Sequence, residues 1–288
     1  MKVTLLKPIG FCQGVIKAIA KAYQIKSENK DRNVFVLGRL VHNEKVINDL
    51  ESKGIFTLDV NSQDISEVIK KIDEDDIVIL TAHGHSKNIE KLLDDRRIKY
   101  FDTTCEKVKE NMRIIKDNEA NGIIYIGKKN HPETMASLSV SNNVFLYDIN
   151  EGIDYSKVIF SSPIVINQTT LSFLEIRKIH LDILNHLPSA LIYDEVCNAT
   201  RLRQEMLLSK KEDYEIIFIV GSIHSSNTEQ LYQIAKDRYK DSFVVKVNSL
   251  EDVKKLDLSN YHTCLIGSGT STPLEIIEEI KDYLEGMN

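Results

Sequence analysis

TLLKPIGFC (residues 4–12), KYFDTTC (99–105) and LIYDEVC (191–197) are three strand-like segments that each end on a cysteine. Cys12, Cys105 and Cys197 stand 93 and 92 residues apart. Each is followed by a stretch of helical periodicity and then by a run closing on glycine: NVFVLG (33–38), GIIYIG (122–127) and IIFIVG (216–221). Four residues beyond Gly38, Gly127 and Gly221 come His42, His131 and Ser225. Farther on, each third holds another strand that runs into a polar turn: IVILTAHGHS (77–86), IVINQTTLS (164–172) and CLIGSGTST (264–272). Cysteine, glycine and polar positions agree together, which marks an internal repeat of about ninety residues.

The elements support the repeat. Strands are expected at 34–37, 77–80, 123–126, 144–146, 158–160, 216–220, 243–247 and 263–266. Helices are expected at 14–28, 105–118, 172–186, 198–211, 228–239 and 273–285. Such alternation belongs to parallel α/β units. The expected fold class is therefore α/β, with three similar α/β domains in a pseudo-threefold trefoil. The domains span 13–104, 105–194 and 195–288, the third completed by residues 1–12. Ligands of open α/β sheets sit beyond the carboxyl ends of the strands, where every polar turn above falls. Three units about one axis bring the three cysteines and three sets of polar loops to one central cavity.

Composition narrows the function classes. The 288 residues are 42% hydrophobic and 28% charged, with 37 Lys and Arg against 43 Asp and Glu, a net charge of −6. No basic stripe points to nucleic acid. No apolar run is long enough for a membrane helix. The opening MKVTLLKPIGFC is too short and too soon broken for a secretory signal. A cytoplasmic monomer is expected, with no nucleic-acid or membrane partner. Four cysteines are too sparse for a disulfide framework, so in a reducing compartment they are buried residues, nucleophiles or metal ligands.

Thiolates favour zinc or iron–sulfur clusters. A fully held [4Fe–4S] cluster takes four cysteines, so three from three units leave one iron open to a substrate oxygen. Three thiolates with or without a histidine also suit zinc, although no close C-x-x-C pair is present. Spacing leaves two further readings open: a zinc-dependent hydrolase of a phosphorylated substrate, and a non-catalytic sensor of a diphosphate or labile cluster. The fourth cysteine, Cys264, lies in the strand HTCLIG and reads as a small buried hydrophobe.

The polar loops suggest an anion. Histidines 42, 83 and 131 stand at strand ends, and Ser225-Ser226-Asn227 and Ser271-Thr272-Pro273 open helices. Free backbone N–H groups and the helix dipole there favour phosphate, and hydroxyls, amides and imidazoles add donors. Taken singly, Ser225 and Ser271 read as helix N-caps, and a lone histidine near glycine as a turn residue. His85, His180, His186, His224 and His262 fall outside the repeat. Gly267-Ser268-Gly269 resembles a dinucleotide loop but lacks its third glycine in register. Glu133 is the one carboxylate inside a motif. A reduction that expels hydroxide needs a proton donor, and a carboxylic acid can serve; Thr169 can orient a substrate hydroxyl or relay the proton.

Together these motifs resemble the 4-hydroxy-3-methylbut-2-enyl diphosphate reductase family, the last enzymes of the non-mevalonate isoprenoid pathway. The matching pieces are GFCQGV (10–15), VHNEKV (41–46), TAHGHS (81–86), DTTC (102–105), HPET (131–134), NQTTLS (167–172), CNATRLRQ (197–204), GSIHSSN (221–227) and GSGTSTP (267–273). The resemblance implies a trefoil around one [4Fe–4S] cluster held by Cys12, Cys105 and Cys197. It places the diphosphate on His42, His83, His131, Ser225, Ser226, Asn227 and Ser271, and the substrate hydroxyl at the open iron near Glu133 and Thr169. It implies loss of that hydroxyl with two electrons and protons, giving isopentenyl and dimethylallyl diphosphates. A ferredoxin or flavodoxin would supply the electrons. Glu106 stands where the family commonly has proline, Lys128-Lys129-Asn130 precede His131, and His224 precedes Ser225; none removes a ligand or the acid. No additional C-terminal domain is expected.

Overall fold

The computed structural model describes residues 1–60, 64–193 and 195–287. Its strands are β1 (Lys2–Leu5), β2 (Val34–Leu37), β3 (Ile55–Leu58), β4 (Ile77–Leu80), β5 (Lys99–Asp102), β6 (Ile123–Gly127), β7 (Val144–Asp148), β8 (Ile164–Asn167), β9 (Leu191–Ile192), β10 (Ile216–Val220), β11 (Phe243–Val247) and β12 (Thr263–Ser268). Its α-helices are α1 (Gln13–Glu28), α2 (Glu44–Ser52), α3 (Ile65–Lys70), α4 (Lys87–Asp95), α5 (Glu106–Asp117), α6 (Pro132–Leu138), α7 (Phe173–His186), α8 (Asn198–Ser209), α9 (Ser226–Arg238), α10 (Leu250–Lys254) and α11 (Leu274–Glu285).

Three four-stranded sheets result, in the orders β3-β2-β4-β5, β7-β6-β8-β9 and β11-β10-β12-β1. All pairings are parallel. The three orders are one topology repeated, and the N-terminal strand fills the fourth place of the third sheet. Register repeats as well: Val34, Ile123 and Ile216 stand opposite Ile77, Ile164 and Cys264. Cys264 thus takes the place of two isoleucines and is fully buried, as a small apolar side chain would be.

The central strands explain why the repeat is visible in the sequence. Parallel strands covered on both faces read as unbroken apolar runs, and β4, β6 and β10 are buried at every residue. All six expected helices lie within about two residues of those observed, the usual scatter of helix ends.

The strand expected at 158–160 is not formed. Residues 155–157 make a 3-10 turn whose end bonds Val158 N–H back to the Tyr155 carbonyl. Ile159 then faces solvent at 80% exposure. The Phe160 ring instead sits over Gly122, where an added Cβ would fall 2.3 Å from it. The strand begins only after Pro163, which has no N–H for a ladder. Short elements such as β3, α2 and α3 had no periodicity long enough to read. The domain limits expected at 194 and 288 fall on residues outside those described. Among the described residues no helix is long and apolar enough to cross a membrane.

Candidate active site

Each of the three cysteines is the N-cap of a helix: Cys12 of α1, Cys105 of α5 and Cys197 of α8. Each backbone N–H is bound in the same way to the turn after the third-placed strand of its sheet. Cys105 donates to the Ala82 carbonyl at 3.1 Å, Cys197 to Thr169 at 3.0 Å and Cys12 to Thr270 at 3.0 Å. A thiolate at a helix N-terminus is favoured by the dipole and free amides; Val15 N–H points at Cys12 Sγ at 3.5 Å.

The three thiols converge. Burial raises the Cys105 thiol, and its charged neighbours are Cys197 and Cys12. Gly14 lines the space between two of them, since an added Cβ would lie 2.9 Å from Cys105 Sγ and 3.8 Å from Cys12 Sγ. All four cysteines are free thiols. Among the described residues, no three His, Cys, Asp or Glu side chains are gathered as one metal ion needs. The donor set itself, three soft thiols brought together at helix N-termini, suits an iron–sulfur cluster.

The histidines form a second group. His42 and His83 stack with ring centroids 4.8 Å apart, and His83 meets His131 edge-on at 6.2 Å. Burial above all drives their pKa values down, to about 3 for His42, about 4 for His83 and about 3 for His131. His83 adds to the effect on His42, as do Arg39 and His224; Lys128 is a further cation near His131. All three rings are therefore neutral at pH 7. His131 caps α6, and its Nδ1 accepts the Glu133 N–H at 3.2 Å. Its proton then resides on Nε2. His42 Nδ1 and His83 Nε2 are buried without a partner among the described residues. Unmatched buried polar atoms are costly, and the two histidines also line a cavity of about 260 Å³ together with Arg39 and Asn130. An acceptor-rich anion fits such a place.

The serines and asparagine lie on the third unit, whose His224 is close enough to act on His42. Ser225 caps α9 through the Thr228 N–H, as the simpler reading had it, and keeps its own O–H to donate. Ser226 Oγ meets Thr170 Oγ1 at 3.2 Å and Gln168 Nε2 at 3.4 Å, which joins the second unit to the third. Asn227 is buried; its amide donates to Thr200 Oγ1 and its oxygen accepts the Thr270 N–H. Ser271 is also buried, in the turn before α11.

Glu133 is the buried carboxyl of the site. It is fully buried, and burial pushes its carboxyl up to about 7. Three donors oppose that rise: Thr169 N–H at 2.8 Å, Thr169 Oγ1 at 2.9 Å and the Tyr125 hydroxyl at 3.4 Å. A carboxyl half-protonated near neutral pH suits general-acid work. Four residues link the groups in series. His131 caps the helix that carries Glu133, Glu133 holds both polar ends of Thr169, and the Thr169 carbonyl holds Cys197.

Several contributors escaped the motif reading. Tyr125 was visible only as the one hydroxyl in an otherwise aliphatic strand. Gln168 lies within a quoted motif, and its Oε1 accepts the Lys128 N–H and the Thr134 hydroxyl. Asn111 and Arg203 are buried on the helices that begin at Cys105 and Cys197. Their equal offset from those cysteines was the available signal.

The LytB protein family matches residues 3–285 of this chain. The 4-hydroxy-3-methylbut-2-enyl diphosphate reductase of Geobacillus sp. (strain WCH70) is 30% identical over 99% of this chain and 90% of its own length. The enzyme of that name from Fusobacterium nucleatum subsp. nucleatum is 33% identical over the whole chain, and this chain spans 34% of that relative's length. Among solved structures, the E-1-hydroxy-2-methyl-but-2-enyl-4-diphosphate reductase from Plasmodium falciparum superposes with a TM-score of 0.86 at 24% identity, covering 99% of this chain and 88% of the other. That likeness is one of fold.

Proposed function

Because this chain belongs to the LytB protein family, we propose that it catalyses the reaction its relatives are named for. The hydroxyl of 4-hydroxy-3-methylbut-2-enyl diphosphate is removed with two electrons and two protons. One proton leaves with the hydroxyl as water, and the other ends on the allylic carbon skeleton. The products are isopentenyl and dimethylallyl diphosphates. The observation that supports the reading is the hydrogen-bonded series His131, Glu133, Thr169, Cys197, which joins the three groups the reaction needs.

In this reading Cys12, Cys105 and Cys197 hold one [4Fe–4S] cluster, for which the three converging N-cap thiols are suited. Such a cluster, when bound, passes electrons singly and offers one iron free of protein ligands. His42, His83 and His131 donate to the diphosphate, with Ser225, Ser226, Asn227 and Ser271 opposite. Neutral imidazoles enter this role without the desolvation penalty a buried cation would carry. Glu133 delivers the proton, and Thr169 orients the hydroxyl through the bond it makes to the acid. The chain works as three domains, 13–104, 105–194 and 195–288 with 1–12, in a cytoplasmic monomer. A ferredoxin or flavodoxin serves as donor.

The test is anaerobic purification followed by iron and sulfide analysis, spectra with and without substrate, and turnover with reduced viologen. A brown protein with iron and sulfide in equal amounts is expected. A colourless preparation, or zinc without sulfide, refutes the reading.

A further inference from the structure

Arg203 is 2% exposed, yet among the described residues no carboxylate pairs with it. Its guanidinium is spent on backbone instead. Nη1 donates to the Ser268 carbonyl at 2.8 Å, to Ser268 Oγ at 3.3 Å and to the Gly269 carbonyl at 3.0 Å. Nη2 donates to the Gly10 carbonyl at 2.7 Å. Nε is buried with no partner. Burial lowers its pKa to about 10, so the group stays cationic at neutral pH, and charge on Cys12 and Cys197 favours it. A buried cation without a counter-charge is expensive. Some other negative charge must compensate it in the working protein.

The repeat shows that this cation is a departure from the symmetry. Residues six beyond the three cysteines are Ala18, Asn111 and Arg203, all buried on the helices those cysteines cap. Asn111 makes one neutral bond, to the Asn167 carbonyl at 3.0 Å. Only the third unit places a charge there. Its bonds also tie together the parts that carry two of the cysteines. Gly10 precedes Cys12 by two residues and donates its own N–H to Ser268 Oγ. Gly269 adjoins Thr270, whose carbonyl fixes the Cys12 N–H. Arg203 itself lies on α8, which Cys197 caps.

We infer that Arg203 is the built-in counter-ion of the metal centre, a positioning residue that locks the Cys12 loop to the Cys197 helix and holds the centre's reduction potential up. The inference rests on the proposed cluster. Its physics is that one-electron reduction adds a negative charge beside a fixed buried cation. The reduced state gains more from that cation than the oxidised state does. The asymmetry also places the field on the Cys12 and Cys197 side of an otherwise threefold site.

The test compares anaerobically loaded wild type with Arg203→Lys, Arg203→Gln and Asn111→Ala. Iron and sulfide are measured, and the midpoint potential is followed by visible absorbance during reductive titration. Arg203→Gln should move the midpoint to more negative potential, Arg203→Lys should stay near wild type, and Asn111→Ala should leave it unchanged. An unmoved midpoint in Arg203→Gln overturns the inference, as does a shift in Arg203→Lys or Asn111→Ala as large as that in Arg203→Gln. If Arg203→Gln retains no cluster, metal content decides: recovery in Arg203→Lys supports a charge role, and equal loss in both overturns it. Wild type without iron and sulfide overturns the proposed function and this inference with it, whereas a loaded wild type with the adverse pattern overturns this inference alone.

Discussion

Glu133→Gln separates the acid from its surroundings. Glutamine keeps the shape, its Oε1 can still accept the Thr169 N–H and Tyr125 hydroxyl, and its amide can donate to Thr169 Oγ1 in place of the bond that oxygen now gives. The side chain loses only its acidic proton. Turnover with reduced viologen should fall by about 10²–10⁴, the range for a lost general acid, while substrate still binds. Wild-type turnover should decline as pH rises through about 7, the value to which burial pushes the carboxyl, and the residual rate of the variant should not follow that decline. Stability gives an independent readout. The carboxyl holds its proton to about 7 when folded and to about 4.5 in the unfolded chain. Its contribution is therefore full below the unfolded value and is lost as pH rises through the folded one. At 1.36 kcal/mol per pH unit this amounts to about 3 kcal/mol. Denaturant unfolding should show the variant gaining about that much on wild type between acid and mildly alkaline pH. Near-normal turnover, or parallel stability curves, would refute the assignment of Glu133 as a buried acid.

Other substitutions probe the remaining groups. His83→Phe should leave the fold intact, because it removes a buried nitrogen that has no partner. Calorimetry with inorganic diphosphate should show affinity down by about ten- to a hundredfold, the worth of one bond to a charged group; unchanged affinity would put the anion elsewhere. Gly14→Ala should keep or raise apoprotein melting temperature, since alanine is the better helix former and a free Cys105 thiol can rotate from the new methyl. Iron retention should fall, because a thiolate held by metal cannot rotate and the methyl would stand 2.9 Å from Sγ; full iron content would contradict that geometry. Cys264→Ala should retain all iron and sulfide, as a residue in an isoleucine's place, while Cys197→Ser should lose them.

Much of this protein could be read from one dimension. The repeat of Cys, Gly and polar turn was legible because parallel central strands are covered on both faces and so show as solid apolar runs. Where elements are short or half exposed, as at β3 and α2, the pattern is weak, and at 158–160 an apolar run reads as a strand that does not form. Strand, cysteine and helix in succession put the three cysteines near helix starts, and the structure makes each an N-cap. Fold class, ligand candidates and the acid were all local or periodic features.

What only the tertiary structure decided concerns energy at the site. Glutamate is an ordinary carboxylic acid in the sequence; it becomes an acid near neutrality because distant residues remove water from around it. The histidines are neutral because they are buried against one another. Arg203 stands out only once Gly10 and Ser268 are seen to surround it and, among the described residues, no carboxylate does. Periodicity along the chain determines which faces are buried, and hence the fold. The cost of a charge depends on what is within a few ångströms in space, and that is settled only when residues far apart in the chain are brought together.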